Sequence, residues 1–285
     1  NLVCSSSADN TFGTLTDNLG TVTFDASDGN PQNLPSGETF NNITVSNTNN
    51  LDLAGNVTIN NLLTFTSGCI NTGANKLIIN TNGLAVVGAT DAAHVNVSND
   101  AGSLDKVFGS ASTFSFPVGN GVDKLRPVVV ETLAGTFPTT FSFRYDDEKF
   151  LLANDPNNNL FNTSGALGTG FGANGHVSGY ANKNSTANPG VLDTPPIPVE
   201  KGYHYEISRT SDVTANLTIN WTDRDQYGTG GAGSPGNAAT VSNITWAEWD
   251  GVGLNWDVIG SSSSGSIHVG TVVGTGANFS SSTIF

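Results

Sequence analysis

The sequence predicts an all-β protein: an N-terminal β-solenoid-like or meandering region followed by an immunoglobulin-like antiparallel β-sandwich. Three observations carry this expectation. Only 12% of the 285 residues are Asp, Glu, Lys or Arg, and Met is absent, so straight-chain helix formers are scarce. Asn (35), Gly (34) and Thr (33) take their place, and these residues favour turns and strands. The apolar residues come in short runs, many of them alternating, each ended by Asn, Gly or Ser.

The first hundred residues supply Ile43-Thr44-Val45, Leu51-Asp52-Leu53, Val57-Thr58-Ile59, Leu77-Ile78-Ile79 and Leu84-Ala85-Val86. The blocks beginning at Val57, Leu77 and Val95 recur at about 18–20 residues, the length of one solenoid coil. Asn after each block suits a corner, because it tolerates left-handed backbone and can bond along a stack. Phe114 to Gly119 reads as a boundary, giving a first domain over 1–112 and a second over 113–285. In the second, Arg126–Glu131, Thr140–Tyr145, Tyr203–Arg209 and Ala215–Trp221 read as strands. The stretch 151–198 reads as long Asn/Gly-rich loops with short strands near Val177 and Tyr180, and 227–239 as another loop. Ile244–Trp249, Asp250-Gly251 and Leu254–Ile259 make a hairpin signature. A last strand pair is expected over Ile267–Val273 and Phe279–Phe285. Strands at this spacing suggest the sandwich.

Charge narrows the function classes. The formal net charge is -14 at pH 7. The first 105 residues hold one basic residue, Lys76, whereas nucleic-acid binding needs clustered cations. No apolar run approaches the roughly 18 residues that span a bilayer. The hydrophobic fraction of 36%, with 15 Phe and 4 Trp, is enough for a core. An acidic, weakly charged chain without an initiator Met reads as an exported, trimmed product located outside the cell or on its surface. In that compartment Cys4 and Cys69 are expected to form a disulfide, closing a loop worth about 4 kcal/mol in chain entropy; two buried thiols are the alternative.

Several pieces resemble modules of secreted surface proteins of Bacteroidota, of the kind exported by type IX secretion. They are Phe40 to Val45 with Leu62 to Asn80; Phe116-Pro117-Val118-Gly119 followed by Leu125-Arg126-Pro127-Val128; Tyr205 to Arg209 with Trp249-Asp250-Gly251 and Trp256; and Asn278-Phe279-Ser280. The resemblance spans most of the chain through short motifs. It implies an adhesin-like or filamentous protein with no shared catalytic residues, and a chain that runs on into a C-terminal sorting domain.

The candidate chemistry is sparse. His94, His176, His204 and His268 lie far apart in sequence and have no neighbouring Cys, so surface or strand-face positions are expected. No nucleophile elbow or phosphate loop is present. Asp146, Asp147 and Glu148 form one carboxylate cluster and Asp223 with Asp225 another; oxygen-rich clusters point to Ca²⁺ or to a solvated turn, and paired acids could also cleave glycosides. Asp25 to Asn30 is a weaker Ca²⁺ candidate, and Ca²⁺ is the only cofactor suggested. Trp249 and Trp256 are candidates for stacking on sugar rings. Thr283, Ile284 and Phe285 could form a strand donated to a neighbouring subunit. Nine Asn-x-Ser/Thr sequons occur, Asn56, Asn162, Asn216 and Asn243 among them. The expected function is therefore a non-enzymatic structural or adhesive surface protein that associates with itself or with neighbouring domains of a longer chain. It could be a filament protomer joined head to tail by strand addition. Carbohydrate binding and polysaccharide cleavage on a solenoid are the alternatives.

Overall fold

The computed structural model describes residues 1–7, 19–80, 85–97, 102–119, 125–146, 204–221, 247–250, 255–258, 261–265, 270–278 and 282–284. These residues are all-β, with no helix among them. The chain divides into two compact units. The first comprises Asn1–Asp146, Glu206–Thr214 and Asn278–Ser282; the second comprises Asp147–Tyr205, Ala215–Ala277 and Thr283–Phe285.

The first unit is built on a stack of coils. Its strands are β1 (Leu2–Cys4), β2 (Thr21–Phe24), β3 (Gln32–Leu34), β4 (Thr39–Ser46), β5 (Leu51–Leu53), β6 (Val57–Ser67), β7 (Ile70–Asn71), β8 (Lys76–Ile79), β9 (Ala85–Val87), β10 (Val95–Asn96), β11 (Ser103–Phe108), β12 (Thr113–Phe116) and β13 (Val118–Gly119). One parallel sheet runs β1-β2-β4-β6-β8-β11, with β9 also beside β6. A second parallel sheet runs β3-β5-β7-β10-β13. Each coil gives strands to both sheets, as parallel neighbours must be joined by a crossover and not by a hairpin.

The register explains the sequence pattern. Val22 faces Ile43, Ile43 faces Leu63 and Leu63 faces Val86; Phe24 faces Val45, and Val45 faces Phe65. Between them runs the row Thr23, Thr44, Thr64. Val22, Ile43 and Leu63, with Phe24, Val45 and Phe65, are buried, while the threonines are half-buried, as period-2 alternation requires. In the second sheet Gln32, Leu51, Ile70, Val95 and Val118 stack in the same way. The blocks at Val57 and Leu77 are true neighbours one coil apart. The third block is displaced: Val95 stacks on Ile70, in the other sheet.

Two glycines fix the corners. Gly68 (φ 75°) and Gly88 (φ 76°) occupy the left-handed region. A Cβ at Gly68 would collide with the carbonyl of Asn47, and one at Gly88 with the carbonyl of Phe65, so each corner needs the absent side chain twice over.

Beyond β13 the pairing changes sense. β14 (Val128–Gly135) pairs antiparallel with β12, and β15 (Thr139–Asp146) pairs antiparallel with β11. β16 (His204–Arg209) lies next to β15. A sheet that begins at β1 therefore continues without interruption past residue 112. Phe116 stacks on Phe143 (4.0 Å between centroids, 29°), Phe114 meets Phe116 edge-on at 4.9 Å, and Phe108 meets Phe141 edge-on at 5.6 Å.

In the second unit β17 (Val213–Trp221), β21 (Gly270–Asn278) and β20 (Ser261–Gly265) follow one another in a sheet. β18 (Ala247–Asp250) and β19 (Asn255–Val258) form the expected hairpin. Ser282–Ile284 form β22. The last strand pair differs from expectation: Ser261–Gly265 pairs antiparallel with Gly270–Asn278. A Ser/Gly run has no apolar alternation to reveal it. The stretches 151–198 and 227–239 lie outside the described residues.

Candidate functional site

The chemistry of the coils is spent between coils. Asn61 Nδ2 donates to Asn42 Oδ1 (2.7 Å), and Asn42 Nδ2 donates to the Gly20 carbonyl (2.9 Å). On the other sheet Asn96 Nδ2 donates to Asn71 Oδ1 (3.0 Å), and Asn71 Nδ2 donates to Asp52 Oδ1 (2.6 Å). Asn80 donates to Asn60 Oδ1 (2.9 Å), and Asn75 donates to the Leu53 carbonyl (2.7 Å). Asn50 and Asn56 act in reverse, their Oδ1 atoms accepting the Cys69 and Lys76 amides at 2.8 and 2.9 Å. An amide side chain carries a donor and an acceptor on one rigid planar group, so it can donate to one coil and accept from the next. Within the coils these asparagines form an inter-coil ladder.

The first complete coil is locked by a buried glutamine. Gln32, fully buried, donates through Nε2 to the carbonyls of Cys4 (2.7 Å) and Ser6 (3.1 Å). Its Oε1 accepts the Ala26 amide (3.1 Å) and Asn47 Nδ2 (3.2 Å). All four partners lie in segments that must come together for the coil to close.

Two lysines stand where the parallel stack meets the antiparallel strands. Asp105 on β11 is buried; Ser103 Oγ donates to its Oδ1 (2.5 Å), and Lys76 Nζ lies 3.1 Å from its Oδ2. Lys106, opposite Ile79 and Phe141, turns the other way. Its Nζ donates to the Asn80 carbonyl (2.6 Å) and lies 5.4 and 5.9 Å from the Phe114 and Phe108 rings. Burial pulls its pKa down to about 8.

The expected disulfide does not form: Cys4 and Cys69 are buried thiols with no bond between them. The register gives the reason. Cys4 faces Phe24, Phe24 faces Val45, and Val45 faces Phe65. Three strand steps at about 4.8 Å each put Phe65, and Cys69 in the same coil, about 14 Å further along the stack than Cys4, and a disulfide needs Cα atoms within about 7 Å. Burial, and then the Asp25 carboxylate, raise the pKa of the Cys4 thiol.

Cys69 instead meets a histidine. Its Sγ lies 3.8 Å from His94 Nδ1, with both residues buried. They are 25 residues apart, but Ile70 faces Val95, so positions 69 and 94 occupy the same corner of successive coils. A surface or strand-face position is the expectation for each histidine; His94 is instead buried at a corner. His94 Nδ1 is also 3.2 Å from the Thr90 carbonyl. A carbonyl only accepts, so the Thr90 contact favours the tautomer with hydrogen on Nδ1, in which that nitrogen is no base towards the thiol. The pair reads as core.

The other candidates are placed as follows. Asp25 and Asp28 are engaged by donors: Ser5 Oγ to Asp25 (2.7 Å), and the Ser7 amide and hydroxyl to Asp28 Oδ2 (2.9 and 2.6 Å). The Ser7 hydroxyl, followed by its amide, holds the Asp28 pKa below the ordinary carboxylate value. Asp146 ends β15, while Asp147, Glu148, Asp223 and Asp225 lie outside the described residues. No group of three His, Cys, Asp or Glu able to hold a metal occurs among the described residues. Trp249 on β18 stands directly opposite Trp256 on β19. Thr283 and Ile284 belong to β22; Phe285 lies outside the described residues, as do His176, His268, Asn162 and Asn243. Asn42, Asn56 and Asn96, three of the sequon asparagines, are rungs of the ladder. No helix among the described residues is long and apolar enough to cross a membrane.

No protein-family model, no curated protein and no solved structure matches this chain.

Proposed function

We propose that this chain is a non-enzymatic extracellular protein, structural or adhesive, that works as a module or repeating protomer of a cell-surface assembly. The observation that carries the reading is the Asn ladder. The polar side chains of the coils bond to the coil before or after, so their chemistry builds a stiff stack. The low charge and the resemblance to secreted surface modules support an extracellular setting. In a filament the subunits would join head to tail through a strand such as Thr283–Ile284–Phe285, an open heterologous contact. Negative-stain microscopy tests this. Native material should show polymers, and deletion of residues 279–285 should leave folded monomer. Polymers that survive the deletion would refute the donated strand, and monomers throughout would refute the filament.

A second reading, carbohydrate binding, is favoured by one observation. The hairpin register sets Trp249 opposite Trp256, and two neighbouring aromatic residues are a usual basis for gripping a sugar. A glycan array should then show binding that drops at least tenfold in Trp249→Ala; a blank array for the parent protein removes this reading.

A further inference from the structure

We draw no further inference here: the strongest candidate, the outer face of β2, β4 and β6 with its Thr23–Thr44–Thr64 row and no charged residue in any of the three strands, is an unpartnered sheet face, and nothing in the structure shows what covers it.

Discussion

The coiled strands β1 to β10 and the antiparallel pairs β11–β15 and β12–β14 hold themselves together differently. In the coils, side chains bond along the stack: Asn61 to Asn42, Asn96 to Asn71 to Asp52, Gln32 to four partners. In the antiparallel part hydroxyl groups link to backbone across neighbouring strands. Ser112 and Thr132 exchange two of them, the amide of Ser112 donating to Thr132 Oγ1 and that hydroxyl donating to the Ser112 carbonyl. Thr210 Oγ1 accepts the Thr140 amide, and Thr139 Oγ1 donates to the Ser211 carbonyl. Aromatic contacts take over the interior there, from Phe108 to Phe143. A coil has only about 20 residues and two short strands, so it cannot bury enough apolar surface alone and adds amide rungs. An antiparallel pair gains close cross-strand side-chain contacts and needs fewer such rungs.

The largest effect should come from the element both regions share, the aromatic core. Phe40 is fully buried and meets Phe24 edge-on at 6.2 Å. Phe40→Ala should cost about 3–5 kcal/mol, read from the shift of the urea midpoint. A loss under about 1 kcal/mol would mean that the coil interior is loosely packed, and would undo the comparison.

The next effect separates the regions. Asn71→Ala removes a donor to Asp52 and an acceptor from Asn96, and should cost about 1–3 kcal/mol. Ser112→Ala, in the antiparallel part, keeps the backbone groups that bond Thr132, so it should cost about 0.5 kcal/mol or less. Equal losses in the two variants, measured by the same urea titration, would show that the ladder is decoration.

The smallest effect is a slope with pH at the junction. An unfolded lysine titrates near 10.5, and folded Lys106 near 8. Between those values the unfolded chain keeps a proton that the folded chain has lost, so stability should rise as pH climbs from about 8 towards 10.5. Below pH 8 both states are charged and this group adds no slope. Lys106→Met should flatten that part of the curve. An unchanged slope in the variant would place the titration elsewhere.

Most of the strands were legible, and so was the coiled nature of the first region. Val57-Thr58-Ile59 and Leu77-Ile78-Ile79 differ by a constant 20, and the structure stacks them. What was hidden follows from unequal coil lengths. Leu51 and Ile70 are 19 apart, Ile70 and Val95 are 25 apart. A single period therefore misplaces Val95 and conceals that Cys69 meets His94. The same stacking separates Cys4 from Cys69, because cysteines in one chain quarter can still be three coils apart. The signal that would have found the register is the recurring triplet of apolar, Thr and apolar: Val22-Thr23-Phe24, Ile43-Thr44-Val45, Leu63-Thr64-Phe65. The buried Gln32 had no signal at all, since a glutamine between Pro31 and Asn33 reads as surface until its four partners are seen. Ser261–Gly265 was invisible for a related reason: its pairing with β21 comes from backbone, and backbone is not written in side chains.

The glycine corners carry a consequence for how such a chain can change. Gly68 sits under the Asn47 carbonyl and Gly88 under that of Phe65, so these two corners are measured against the coil before them. One residue inserted within a strand would turn its inward side chains outward and break every rung above and below. Residues inserted at a corner, as the longer step from Ile70 to Val95 illustrates, leave the rungs on either side in place. Gain or loss of a whole turn would leave the remaining rungs intact. Length in the coiled region is therefore a quantity counted in turns, and a lineage carrying it can lengthen or shorten the stack by duplication of whole turns.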